Sequence, residues 1–149
     1  MEKLTSNFKK LSLHDSHIEK VDRCGSELIF EFDWAKLSDY LEKGIDDFIV
    51  MGKTFLRLSN IKKETFRAYD ESEGKFNDLE IPDDVEKSWQ EISNTEIDEE
   101  RKVFMIDGMF NDGKNYWWVE WEIHYGDFEL EWNSYVTGED WKKGKLPRD

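Results

Sequence analysis

Between Asn115 and Tyr135 large apolar side chains fall on every second residue, and no other feature of the chain constrains its fold as tightly. Trp117, Val119, Trp121 and Ile123 alternate with Trp118, Glu120, Glu122 and His124. Phe128, Leu130 and Trp132 then alternate with Glu129 and Glu131. A period of two belongs to a strand with one buried face. Read as a hairpin, the two strands put both apolar sets on one side when Ile123 lies opposite Phe128. A slip of one residue would mix core with solvent, so the pattern specifies this register.

The same register sets the other face. Glu122 then falls opposite Glu129 and Glu120 opposite Glu131, with Asp127 and His124 beside the turn and Tyr116 and Trp118 at the far end. Like charges directly opposite destabilise a sheet. At about 5 Å in water each pair costs roughly 0.8 kcal/mol. Two readings account for such a face. It is either an exposed acidic surface neutralised by Lys or Arg from flanking strands, or an acidic patch that binds a basic surface with Tyr116 and Trp118 as aromatic anchors.

The rest of the chain reads mainly as strands. Leu13 to Arg23 and Glu27 to Asp33 form an expected hairpin around Cys24-Gly25-Ser26, with Leu28, Phe30 and Phe32 alternating against Glu27, Glu31 and Asp33. Asp33 is placed to cap a short helix from Trp34 to Lys43, where Trp34, Leu37 and Leu41 have helical spacing and Gly44 follows. Phe48 to Met51 reads as a short buried segment, and Thr54 to Asn60 and Lys63 to Tyr69 as strands. Asp70 to Pro82 reads as a loop. Asp83 to Ser93 suits either a helix after an Asp cap or the approach to a strand through Ile97. Lys102 to Phe110 is a strand, and Asn111-Asp112-Gly113-Lys114 is turn chemistry. Residues from Thr137 on form a polar tail with Trp141 as its large apolar anchor. The expected class is α+β and β-rich, a single domain over residues 1–149. It is expected to hold a twisted, mostly antiparallel sheet of about six to eight strands and one or two short helices.

Composition narrows the function. Seven Trp and ten Phe supply a core despite 38 % charged residues. The net charge of −14 argues against nucleic acid, whose phosphates need Lys and Arg, and against an anionic membrane surface. It suits a basic partner, or simply solubility. The single cysteine, Cys24, excludes an internal disulfide, and no neighbouring base equips it as a nucleophile. Met1 to Lys10 carries charges and no apolar core of a signal peptide, so the cytoplasm is the expected compartment.

His14-Asp15-Ser16-His17 invites a metal reading. On a strand, however, Asp15 and His17 share one face and His14 and Ser16 the other, and two ligands do not make a site unless His124 joins them in space. The expected role is structural, with no metal and no cofactor. No glycine-rich phosphate loop and no nucleophile elbow is present, and no catalytic residue stands out.

The stretch Leu13-His14-Asp15-Ser16-His17-Ile18-Glu19-Lys20-Val21 resembles the opening of several small bacterial families in which a His-Asp-Ser or His-Asp-Ala unit starts the first strand. In those families an aromatic-rich second strand follows, here Leu28-Ile29-Phe30-Glu31-Phe32-Asp33-Trp34, and Phe128-Glu129-Leu130-Glu131-Trp132 is in keeping with them. Some of these families look like immunity proteins of polymorphic toxin systems. The resemblance implies a binding protein and no catalytic residues. The leading expectation is therefore an acidic, antitoxin-like protein that neutralises a basic partner such as a nuclease toxin, and not an enzyme. The alternatives are a β-barrel-like carrier with a Trp-lined cavity for a small ligand, an uncharacterised structural or interaction domain, and an enzyme with a dispersed acidic site.

Overall fold

Alternating side chains build this protein in three layers of strand. The computed structural model describes residues 2–8, 10–40 and 44–148. The first sheet has the order β1 (Glu2–Leu4), β13 (Asp127–Trp132), β7 (Thr54–Ser59), β4 (Glu27–Phe32) and β3 (Ile18–Cys24). The second has the order β10 (Trp89–Asp98), β11 (Val103–Asn111), β12 (Tyr116–His124), β8 (Lys63–Asp70) and β9 (Lys75–Asp78). The third has the order β14 (Tyr135–Thr137), β6 (Ile45–Met51), β5 (Ala35–Tyr40) and β2 (Leu11–Ser12). Every ladder in these sheets is antiparallel. Two short helices, α1 (Val85–Ser88) and α2 (Gly138–Lys142), complete a β-rich α+β fold. The class is as the sequence predicts, and among the described residues the helices number two; the strands, however, number fourteen instead of six to eight and are divided among three sheets instead of one.

The first two sheets pack face to face. Leu28, Phe30 and Phe32 of β4 and Val119, Trp121 and Ile123 of β12 are all fully buried. The Phe30 ring lies 5.2 Å from Trp121 and 6.0 Å from Phe104. One continuous apolar cluster joins these residues to Leu11, Leu37, Ile49 and Met51 of the third sheet. Burial of each such side chain contributes about 1.5–3 kcal/mol.

The expected last hairpin does not form. β12 is paired on one side with β11 and on the other with β8, whereas β13 lies between β1 and β7. The inward set is the predicted one, but the two strands contribute it to opposite layers of the sandwich. The reason lies in the two-residue link Tyr125-Gly126. A two-residue hairpin loop needs positive φ at one or both positions, and neither residue has it. Tyr125 is instead buried, with its ring 6.1 Å from Phe8, and its N–H donates to Lys102 O. Gly126 N–H donates to Ser59 O, and a Cβ on this glycine would stand 2.8 Å from Asn60 Cβ. The link therefore crosses from one sheet to the other. The predicted Asn111–Lys114 turn, by contrast, joins β11 to β12. Gly113 has φ +89°, and Asp112 Oδ1 accepts from Lys114 N and Asn115 N.

The helix expected from Trp34 to Lys43 is also corrected: Ala35 to Tyr40 is strand β5, and residues 41–43 lie outside the described residues. Ala35 and Leu37 are both buried, a period of two that outcompetes the Trp34–Leu37 spacing once β6 supplies Ile49 and Met51 as neighbours. Asp33, the expected cap, instead accepts from His17 N at 2.8 Å. The segment 83–93 realises both expectations in turn, α1 followed by β10. The expected loop 70–82 contains edge strand β9, and the polar tail contains α2, capped by Thr137 Oγ1 accepting from Asp140 N. Among the described residues no helix is long and apolar enough to cross a membrane.

Candidate functional site

The outer face of the second sheet carries the most unusual surface of the molecule. Ladder registers place on it Glu96 and Asp98 of β10, Met105, Asp107 and Met109 of β11, and Tyr116, Trp118, Glu120 and Glu122 of β12. Thr65, Arg67 and Tyr69 of β8 and Phe76 and Asp78 of β9 continue it. The face reads along two diagonals. Tyr116, Trp118, Tyr69, Phe76 and Met109 cluster at one end, with Tyr116 60 % exposed and the Tyr69 and Phe76 rings 5.2 Å apart. Beside them runs a row of charge: Asn94, Asp107, Glu120, Arg67 and Asp78 are successive cross-strand neighbours.

Within this row Asp107 and Glu120 stand directly opposite each other. Arg67 Nη2 meets Glu120 at 2.8 Å, and its guanidinium also lies over the Phe76 ring at 5.5 Å. Asp107 is buried and accepts from Asn94 N and Asn94 Nδ2 at 2.9 and 3.0 Å. Burial pushes its carboxyl above the ordinary carboxylate range and Glu96 adds to the rise, while the Asn94 hydrogen bonds oppose it. An acid with a raised folded-state pKa favours folding below the ordinary carboxylate range and loses that contribution as pH rises through the folded value. Asp107→Asn is therefore expected to raise Tm near pH 7 by roughly 1–3 °C, because it removes the cost of burying a charged carboxylate and its repulsion by Glu96. The gain should vanish at about pH 3, where the wild-type carboxyl is protonated. Thermal melts at the two pH values test this, and an equal gain at both would refute it.

Of the residues singled out in the sequence, Tyr116, Trp118, Glu120 and Glu122 share this face. Asp127, Glu129 and Glu131 do not: they lie on the outer face of the first sheet, on the other side of the sandwich. No Glu122–Glu129 or Glu120–Glu131 pair exists, because β12 and β13 are not neighbours. On the first sheet, charge is balanced by flanking strands. Lys3 Nζ sits 3.4 Å from Glu129 and 3.3 Å from Glu131, Lys53 meets Glu31 at 3.1 Å, and Arg57 meets Glu27 at 2.8 Å. Contact with the Glu131 carboxyl first, and with Lys3 next, holds Glu129 below its ordinary value. Asp127 accepts from Asn60 Nδ2 at 3.0 Å. Tyr69, Phe76, Met109, Asp107 and Arg67 were missed. Alternation along 63–70 and 103–111 puts four of them on outward faces, and Phe76 falls in the segment expected to be a loop; only the strand order brings them to the face that carries Trp118.

His14-Asp15-Ser16-His17 is a structural joint. The expected strand from Leu13 starts only at Ile18, because Asp15 takes φ +67°, a left-handed conformation Asp tolerates. Asp15 N–H donates to Ile92 O and Ile92 N–H donates to Ser16 O, which ties the turn to β10. The buried Ser16 Oγ donates to Trp34 O at 2.7 Å. His17 Nδ1 lies 3.2 Å from Asp33, and His14 Nδ1 lies 2.6 Å from Ser93 O. His17 lies beside Glu91 at the start of β10, whereas His124 is opposite Val103, which pairs with Asp98 at its end. About 20 Å of strand separates the two ends, so the three histidines do not meet. Among the described residues no three His, Cys, Asp or Glu side chains converge as a metal-binding set.

No protein-family model, no curated protein and no solved structure matches the chain.

Proposed function

We propose that this protein is a binding module, of the immunity type, that holds a basic protein surface against the outer face of β10-β11-β12-β8-β9. One observation carries the reading. That face combines exposed aromatic anchors with Glu96, Asp98, Asp107, Glu120, Glu122 and Asp78, against which it sets Arg67, Lys63, His124 and, at the β10–β11 turn, Arg101. Aromatic rings flanked by unbalanced charge are what a hot spot with electrostatic steering requires. The overall charge of −14 extends the attraction beyond the contact surface. A nuclease toxin, basic because its substrate is a polyanion, is the partner class this suits.

The test separates the two outer faces. Glu120→Lys with Glu122→Lys is expected to weaken binding to a basic nuclease-toxin domain by about tenfold or more. Glu129→Lys with Glu131→Lys should leave binding within about twofold, because those carboxylates share Lys3 and lie on the opposite outer face. Calorimetric titration at two salt concentrations reads both. Equal losses from the two double variants would sink the assignment of the face.

A cleft of about 390 Å³ between the two sheets supports a second reading, that of a small-ligand carrier. Val21, Phe66, Leu79, Ile81, Val85 and Trp121 line it, with Arg23 and Glu64 at its polar side. Quenching or shift of tryptophan emission by fatty acids or sugars, absent with a basic protein domain, would favour this carrier role.

A further inference from the structure

Within the outer face of the second sheet, two neighbouring strands part company. The β8–β12 ladder runs from Lys63–His124 to Ala68–Val119 and stops there. β12 continues through Trp118, Trp117 and Tyr116, paired with Met109, Phe110 and Asn111 of β11, but among the described residues no ladder pair continues on its β8 side beyond Val119. β8 also continues, but as an arm with β9, through the pairs Tyr69–Phe76 and Asp70–Lys75. The strands thus form a fork. A groove of about 570 Å³ fills it, walled by Tyr69, Tyr116, Trp117 and Trp118 and rimmed by Asp70 and Glu71.

We propose that this fork takes an extended, lysine- or arginine-bearing segment of the basic partner as an added strand along Tyr116–Trp118. The inference rests on the binding reading above and specifies how the partner is held. Every second residue of a strand directs its N–H and C=O to the same side, so Tyr116 and Trp118 face the β8 side and Trp117 faces β11. The last β8 pair uses the Trp118 C=O, which leaves the Trp118 N–H and both main-chain groups of Tyr116 without a ladder partner on that side. An unpaired stretch of this kind is a template for another strand, which would lie about 4.8 Å away. Strand addition of this type draws affinity from main-chain bonds and specificity from alternate side-chain pockets.

Charge complementarity selects the occupant. The groove lining carries two carboxylates, Asp70 and Glu71, and no cationic side chain. Lys75, on the arm, contacts Glu73 at 3.1 Å and also attracts Asp70, its ladder partner, which offsets part of the rim's charge and leaves it net negative. The Asp70 carboxylate is fixed by the turn it caps, accepting from Ser72 N at 2.9 Å and Ser72 Oγ at 2.6 Å. Tyr69, Tyr116 and Trp118 offer ring faces to the stems and heads of Lys or Arg. A nucleic acid would set phosphates against the carboxylates, and a second copy of this chain would bring another charge of −14 to the same rim.

The full chain is titrated with three short synthetic peptides: one alternating lysine and valine, one alternating glutamate and valine, and a lysine–valine peptide N-methylated on every second amide. Amide hydrogen exchange at Tyr116 and Trp118, whose amides face the fork, and tryptophan emission are read. The lysine peptide is expected to slow exchange at those amides by about tenfold or more and to shift emission. The glutamate peptide should do neither, and N-methylation should weaken binding about tenfold by removing strand hydrogen bonds at unchanged charge. Glu71→Lys should weaken the lysine peptide alone. Equal binding of the N-methylated peptide, or binding without protection of Tyr116 and Trp118, overturns strand addition, as does protection in the free protein that tracks dimer formation. If strand addition fails in this way while Glu120→Lys with Glu122→Lys still weakens the toxin domain, the face assignment survives without the fork. If that double variant also has no effect, both fall.

Discussion

Trp121→Ala is expected to lower the unfolding free energy by about 3–5 kcal/mol, the range for removing a large aromatic side chain from a packed core. Trp121 is fully buried where the first two sheets meet, with ring centroids 5.2 Å from Phe30, 6.0 Å from Phe66 and 6.4 Å from Trp89. Truncation leaves those rings facing a void that the rigid ladders on either side of β12 cannot close. A polar loss adds to it. Trp121 Nε1 donates to Glu64 Oε1 at 3.1 Å, and Glu64 also holds Arg23 through contacts of 2.6 and 2.8 Å. Trp121→Phe keeps a ring in the layer and leaves Glu64 its arginine, so its cost should be smaller, about 1–2 kcal/mol. Urea unfolding followed by far-ultraviolet circular dichroism gives both numbers without depending on the lost fluorophore. A cost below about 1.5 kcal/mol for the alanine variant would mean that Trp121 is not at the interface of two packed layers.

The facing of Trp121 was legible in the sequence, while its neighbours were not. Alternation states which side of a strand is buried, and the structure agrees for Trp117 to Ile123 and for Phe128 to Trp132. It does not say which strand lies alongside. The one local signal that could have refused the hairpin was Tyr125-Gly126, which lacks the Asn-Gly, Asp-Gly or Gly-first pattern of a two-residue turn. The Asn111-Asp112-Gly113 turn, which has that chemistry, was legible for the same reason. The helix expected from Trp34 shows the converse failure. Trp34, Leu37 and Leu41 fit one period and Ala35 and Leu37 another, and only the presence of β6 decides between them. The candidate site was half legible. Opposed carboxylates do occur on β12, but the partner of Glu120 is Asp107, 13 residues back along the chain and brought alongside by the β11–β12 turn. Non-local pairing assembles the aromatic end of that face as well, since Tyr69 and Phe76 reach Trp118 through β8.

Gly108→Ala should cost about 2–4 kcal/mol, more than an ordinary glycine in a strand, because backbone occupies the place of the missing side chain. Gly108 lies on the inward side of β11 between Ile106 and Phe110, opposite Ile92 and Val119. Here β10 slips its register twice, between Trp89 and Ile92 and between Ile92 and Asn94. The irregularity folds β10 over the glycine: a Cβ would stand 2.4 Å from Glu91 O and 3.0 Å from Trp89 Nε1. A carbonyl oxygen cannot swing aside as a side-chain end can. It belongs to the segment that the His14–His17 joint holds, where Asp15 N–H donates to Ile92 O and Ile92 N–H to Ser16 O. A methyl at Gly108 therefore pushes on the bonds that connect the second sheet to the turn between the other two. For a chain of this length 1 kcal/mol is about 2–4 °C, so Tm should fall by about 4–16 °C. Gly113→Ala is the control. It strains a turn with φ +89° but meets nothing within 4 Å, and should cost about 1 kcal/mol. If Gly108→Ala melts no lower than Gly113→Ala, the close approach of β10 to Gly108 does not exist in solution. A larger fall, accompanied by faster amide exchange at Asp15 and Ile92, would establish that the His-Asp-Ser-His segment holds the sheets together and owes its residue types to that role.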